Sequence, residues 1–173
     1  VTLGGTMSLT GESLTLAGPV YMAADRALQV SNYTTITGAI TSDNAARTLY
    51  KTGSGTLELG GYDQNTFGPM AVQDGTLLLN NGAWTAVPGA LYVGVNGGAT
   101  AATARFASSY QLGAGAVTVY PGSTLDFNGQ ANDVLGAVTA TGATITNAVG
   151  FSAGGTVTLS QSMMDNTGPA SFA

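Results

Sequence analysis

A short phrase recurs along this chain: Gly or another small or polar residue, then Thr, Ser or Ala, then apolar-x-apolar. Gly5-Thr6-Met7-Ser8-Leu9 is one copy, and Gly55-Thr56-Leu57-Glu58-Leu59 with Gly75-Thr76-Leu77-Leu78-Leu79 form the clearest pair. Ser123-Thr124-Leu125-Asp126-Phe127 and Gly155-Thr156-Val157-Thr158-Leu159 continue it, and looser copies centre on Leu14, Leu28, Leu91 and Val117. Each copy is a strand-length unit with period-two alternation behind a turn. A unit this short cannot bury its apolar face alone, so the copies must stack on one another. The expectation is an all-β chain, a parallel β-helix (β-solenoid) of about seven or eight coils, forming a single domain over 1–173.

Some neighbouring copies are close, such as Met7 to Leu14 and Val117 to Leu125, while others lie farther apart. More than one strand per coil follows, with a circuit of roughly 20 to 28 residues. Pro121-Gly122 and Asp74-Gly75 read as tight corners. Leu57, Leu59, Leu77, Leu79, Leu125, Phe127, Val157 and Leu159 are expected inside the coil, with Glu58, Leu78, Asp126 and Thr158 outside. Two stretches lack the alternation. Gly97 to Ser109 reads as a loop or one helical turn, and Tyr62 to Pro69 as a segment that loops out. Asn65 and Asn80-Asn81-Gly82 are expected to form stacked asparagine ladders at corners.

Composition narrows the function. Charged residues are only 8% and hydrophobic ones 44%, with 26 glycines; Thr, Ser, Asn and Gly supply the polarity. This suits β-structure with many tight turns. The net charge is −5, and the cations Arg26, Arg47, Lys51 and Arg105 form no basic stripe. Nucleic-acid binding is not expected, because phosphate neutralisation needs clustered Lys and Arg. The absence of Cys gives no reading of redox compartment, and the absence of His removes the commonest general base. No apolar run is long enough to span a bilayer as a helix.

The segment Lys51 to Asn81 resembles the autotransporter-associated β-strand repeat, also called the passenger-associated transport repeat. The opening is carried by Lys51, Gly53, Gly55, Thr56, Leu57 and Leu59, and the centre by Asn65, Thr66, Phe67 and Gly68. Val72, Gly75, Thr76, Leu77 and Leu79 carry the close. Gly68-Pro69-Met70 departs from the family's usual Gly and Thr there. Leu112 to Val119 with Ser123 to Gly129 looks like the segment that often follows such a repeat. The resemblance implies a right-handed parallel β-helix on a bacterial surface, in keeping with the right-handed bias of parallel crossovers. It implies no single activity.

Parallel β-helices can carry carbohydrate chemistry, but the nine acids form no Asp-Asp or Asn-x-Asp pair, and an enzyme is not expected. Asp126-Phe127-Asn128-Gly129 with Asn132-Asp133 is the densest oxygen cluster; turn-forming residues explain it better than calcium does, and no cofactor or metal is expected. Tyr62, Phe67, Trp84 and Tyr92 fall in one segment and are the candidates for ligand contact, since aromatics on a solenoid face can stack on sugar rings or a partner. Both termini carry repeat-like strands without a helical or charged cap. Val1, Leu3, Met7 and Leu9 at the start, with Val157, Leu159, Met163 and Phe172 at the finish, are therefore the expected assembly interface. The expected role is a structural subunit of an extracellular bacterial surface filament or matrix, assembling head to tail with copies of itself. The alternative is a fragment of an autotransporter adhesin that binds cell-surface glycans.

Overall fold

In a computed structural model, the described residues are 1–44, 47–148, 151–160, 163–166 and 170–172, with side chains undescribed at 132–135, 151–152 and from 163 onward. The chain winds through a parallel stack. The first three coils carry three strands each: β1 (Thr2–Leu3), β2 (Met7–Leu9) and β3 (Leu14–Leu16); β4 (Val20–Met22), β5 (Arg26–Val30) and β6 (Tyr33–Ile36); β7 (Ile40–Ser42), β8 (Leu49–Thr52) and β9 (Thr56–Leu59). The next three carry two: β10 (Met70–Val72) and β11 (Gly75–Leu79); β12 (Leu91–Val93) and β13 (Ala102–Phe106); β14 (Val117–Val119) and β15 (Thr124–Asp126). Three-stranded coils then resume with β16 (Asn132–Leu135), β17 (Val138–Thr141) and β18 (Thr144–Ala148), then β19 (Phe151–Ala153), β20 (Val157–Ser160) and β21 (Met163–Asn166), followed by β22 (Ala170–Phe172).

Every strand pairing is parallel, so each strand meets its counterpart one coil away. The result is the expected β-solenoid, of about seven turns. Two faces are continuous eight-stranded sheets. One runs β2-β5-β8-β10-β12-β14-β17-β20, and the other β3-β6-β9-β11-β13-β15-β18-β21. The remaining face is interrupted: β1-β4-β7 and β16-β19-β22 are separate three-stranded sheets, with only the isolated bridges Thr41↔Thr66 and Val87↔Leu112 between them among the described residues.

Alternation puts one aliphatic column inside each continuous face. Leu57, Leu77, Ala104, Leu125 and Ile145 lie in register and are fully buried. Leu28, Val72, Val93, Val119 and Ala140 do the same on the other face. Ala102–Phe106 is a strand, not the expected loop or helical turn. Its inward residues Ala102 and Ala104 are too small to advertise alternation, but Phe106 fills the space and stacks on Phe127 at 4.7 Å. Leu159, expected inside, is 41% exposed, because among the described residues β20 pairs with β17 alone.

The repeat opening has a physical reason at each position. Gly53 has φ +78°, and a Cβ there would stand 2.5 Å from the Val30 carbonyl oxygen of the coil below. At Gly55 a Cβ would fall within van der Waals overlap of the Asn32 backbone. Only glycine lets corners stack at strand spacing there. Lys51 occupies an inward position between Leu28 and Val72, fully buried. Its Nζ donates to the carbonyls of Gly53 at 2.6 Å and Asp74 at 2.8 Å, closing two successive corners.

Candidate functional site

Where the third strand is missing, buried amides take over its bonding. Asn65 accepts from the Ile40 N–H through Oδ1 and donates from Nδ2 to the Ala86 carbonyl, both at 2.8 Å, so one side chain ties together the coils above and below. Gln111 does the same against Asn81, accepting its N–H at 2.7 Å and donating to its carbonyl at 2.9 Å. Asn81 in turn donates to the Asp63 carbonyl and accepts from the N–H groups of Ala83 and Trp84. Apart from the Ala83 and Trp84 bonds, which close Asn81's own turn, these bonds are to main chain of neighbouring coils. The expected side-chain-on-side-chain asparagine ladder does not form; Asn80 instead donates to Glu58 and accepts from Ser108 on the outer surface. Nor does 62–69 loop out, since Asn65 and Phe67 point into the core and Thr66 bridges to Thr41.

The amide scaffold carries an exposed aromatic corner. Tyr62 is 76% exposed, Trp84 51% and Tyr110 55%. Tyr62 lies against Gly82, where an added Cβ would come within 2.6 Å of the ring. Trp84 and Tyr110, with Thr85 and Ser109, line a cleft of about 310 Å³ between adjacent loops. Tyr110 is held at φ +60°, a conformation uncommon outside glycine, and its N–H donates to the Ala131 carbonyl. Of the four expected ligand contacts, Tyr62 and Trp84 share this corner. Tyr92 lies on a different face, the outer side of β12. Phe67 is 2% exposed and belongs to the core, which removes it as a contact: in the Asn65-Thr66-Phe67 run, residues 65 and 67 turn inward and 66 outward. Tyr110 was not legible as a partner, because nothing local signals that it sits one coil beyond Trp84.

The expected assembly residues divide by burial. Leu3 and Leu9 are buried in the column, so they are not surface groups. Met7 and Val157 are half-buried, and Val1 and Leu159 are exposed. The side chains of Met163 and Phe172 lie outside the described residues. On the outer surface, Glu58 accepts from Tyr33, Thr35 and Asn80, which holds its carboxyl below the usual range against the opposing effect of burial. Asp126 is similarly engaged, by Arg105 at 3.3 Å, the Asn128 N–H and Asn147. Both carboxylates are occupied with rung-to-rung bonding. Among the described residues no three His, Cys, Asp or Glu side chains come together as a metal-binding group. Nor, among the described residues, is any helix long and apolar enough to cross a membrane. No family model, curated protein or solved structure matches the chain.

Proposed function

We propose that this chain is a structural element of an extracellular bacterial surface filament or matrix, a rigid β-solenoid extended end on by further coils. The observation that supports it is the unbroken pairing of eight strands on two faces around a filled aliphatic column. β1, β2 and β3 each pair on one side only, so their outer edges can template another coil, whether of a longer polypeptide or of a second copy. Contact between unlike ends need not close, and it then builds a fibre. The bacterial surface location rests on the resemblance of Lys51 to Asn81 to passenger repeats. Negative-stain electron microscopy of the pure chain tests the polymer: regular fibres about one solenoid wide are expected, and dispersed particles at high concentration count against it.

A second reading, an adhesin fragment that contacts cell-surface glycans, is favoured by the exposed Tyr62, Trp84 and Tyr110 on adjoining loops. Amphipathic rings exposed in this way are typical of contact surfaces. Loss in Trp84→Ala of binding to a subset of the array's glycans is the expected result; an array pattern wholly unchanged by that substitution removes this corner as the contact.

A further inference from the structure

One corner breaks the economy of the solenoid. Between the two continuous faces, corners hold two to four residues, but the corner from β12 to β13 holds eight, Gly94 to Ala101. In stacked repeats, insertions confined to one coil mark the face that carries function. This insertion is pinned at both ends. The Gly94 N–H donates to the Val72 carbonyl at 2.8 Å, Gly98 N–H closes a turn onto Val95, and Thr100 Oγ1 donates to the Gln73 carbonyl at 3.0 Å. It therefore stands as a fixed wall beside the outer surface of β8, β10 and β12.

Against that wall lies a groove of about 290 Å³. Tyr50, Ala71 and Tyr92 are register partners on successive strands, all facing outward, so the two rings flank a small floor residue. Strand spacing puts them roughly 10 Å apart along the stack. Tyr120 closes one end, and Gln73 and Asn96 border it with amides. No charged side chain lines the groove among the described residues.

We infer that this groove is a binding site for a neutral saccharide, one or two sugar rings of a longer glycan. Half-buried tyrosine rings give flat apolar faces with a polar tip, suited to the C–H face of a pyranose. Amides offer donor and acceptor together, which matches adjacent hydroxyls. The volume is at the small end of ligand sites, fitting a sugar unit better than an extended peptide. The missing charge argues against nucleotides and acidic sugars, whose anions require cationic partners. The inference rests on the adhesive reading for the source of the glycan and places a second contact on another surface, away from Trp84.

Titration calorimetry of the whole chain with a panel of neutral gluco-, manno- and galacto-tetrasaccharides tests it. Saturable binding is expected for at least one probe, weakened at least about tenfold by Tyr92→Ala and by Ala71→Leu, which fills the floor, and unchanged by Trp84→Ala. Wild-type amide shifts on titration are expected at 48–50, 71–73, 92–96 and 120, a readout that survives if a variant fails to fold. No saturation up to about 10 mM with any probe overturns the groove and, if the array is also blank, the adhesive reading with it. Sugar binding abolished by Trp84→Ala but not by Tyr92→Ala overturns the groove alone. Saturable binding of a proline-rich decapeptide in place of every sugar replaces the ligand class and overturns the assignment.

Discussion

The two continuous faces and the interrupted face solve one problem in different ways. On the continuous faces each strand bonds to the strands above and below through main chain, and side chains only need to alternate. On the interrupted face three successive coils have no regular strand, and Asn65, Asn81 and Gln111 supply the cross-coil bonds from side chains. A ladder fixes every residue to one pitch. An amide fixes only the point where it lands, leaving the chain between such points free to bulge. The loops bearing Tyr62, Trp84 and Tyr110 exist because of that freedom. Regularity gives stiffness, and replacing ladder bonds with discrete ones makes room for loops that expose large aromatic side chains.

The largest effect should come from the continuous faces. Leu77→Ala removes a fully buried side chain from the middle of a column and leaves a void that stacked neighbours on a fixed pitch cannot collapse. A loss of about 3–4 kcal/mol in urea unfolding is expected. Asn65→Ala should cost less, about 2–3 kcal/mol, by leaving the Ile40 N–H and Ala86 carbonyl without partners. The comparison also predicts where the damage appears. In native-state hydrogen exchange, Asn65→Ala should speed exchange along the interrupted face, Ile40 N–H above all, while amides of β9 and β11 keep their protection. Equal acceleration on all three faces would mean that the interrupted face is not an independent layer.

The same contrast explains what the sequence made legible. Alternating leucines such as Leu57/Leu59 and Leu77/Leu79 mark a strand because one face of it is buried and the other is not. The number of coils followed from the spacing of these copies. Ala102 to Phe106 was hidden because its inward residues are alanines, and the bulk that compensates, Phe106 on Phe127, depends on a contact 21 residues away. The interrupted face was hidden for a different reason: an asparagine that replaces a strand looks, in sequence, like one that makes a turn. The groove needed the register. Tyr50 and Tyr92 are unrelated in sequence until pairing shows each of them one strand from Ala71. Lys51 was visible as part of a motif, but a period-two pattern counts a lysine as outward, whereas here it lies in the column.

That buried lysine gives a pH test of intermediate size. Burial pulls its pKa from 10.5 down to about 8, against the opposing pull of Asp74. Between pH 8 and 10.5 the unfolded chain therefore binds more protons at this site, so folding stability should rise with pH, by on the order of 1–3 kcal/mol. Tyr33, pushed up to about 12 chiefly by its hydrogen bond to Glu58, works the other way above pH 10, where the unfolded chain loses a proton that the folded one keeps. A stability maximum near pH 10 is the expected profile by urea titration. Lys51→Met should flatten the rise from pH 8 while leaving the decline above pH 10. A wild-type profile with no rise over that window would show that the amine is solvated in the folded chain.

The smallest effect belongs to the outer surface of the same continuous faces. Arg105 lies opposite Asp126 on the next strand, Nε to Oδ2 3.3 Å, and its Nη2 donates to Asn128 at 2.8 Å. Half of the Arg105 side chain is exposed, so water screens the pair and the long side chain gives up entropy to hold it. Arg105→Ala should cost only about 0.2–1 kcal/mol, and about 1 M salt should remove most of the difference between variant and parent. Asp126 keeps the Asn128 N–H and Asn147 as donors in that variant, so no buried acceptor is stranded. A loss as large as that of Asn65→Ala would mean that outward cross-strand pairs stabilise the stack as much as buried amides do. The division between a tolerant exterior and a demanding interior would then fail on the most regular face of the molecule.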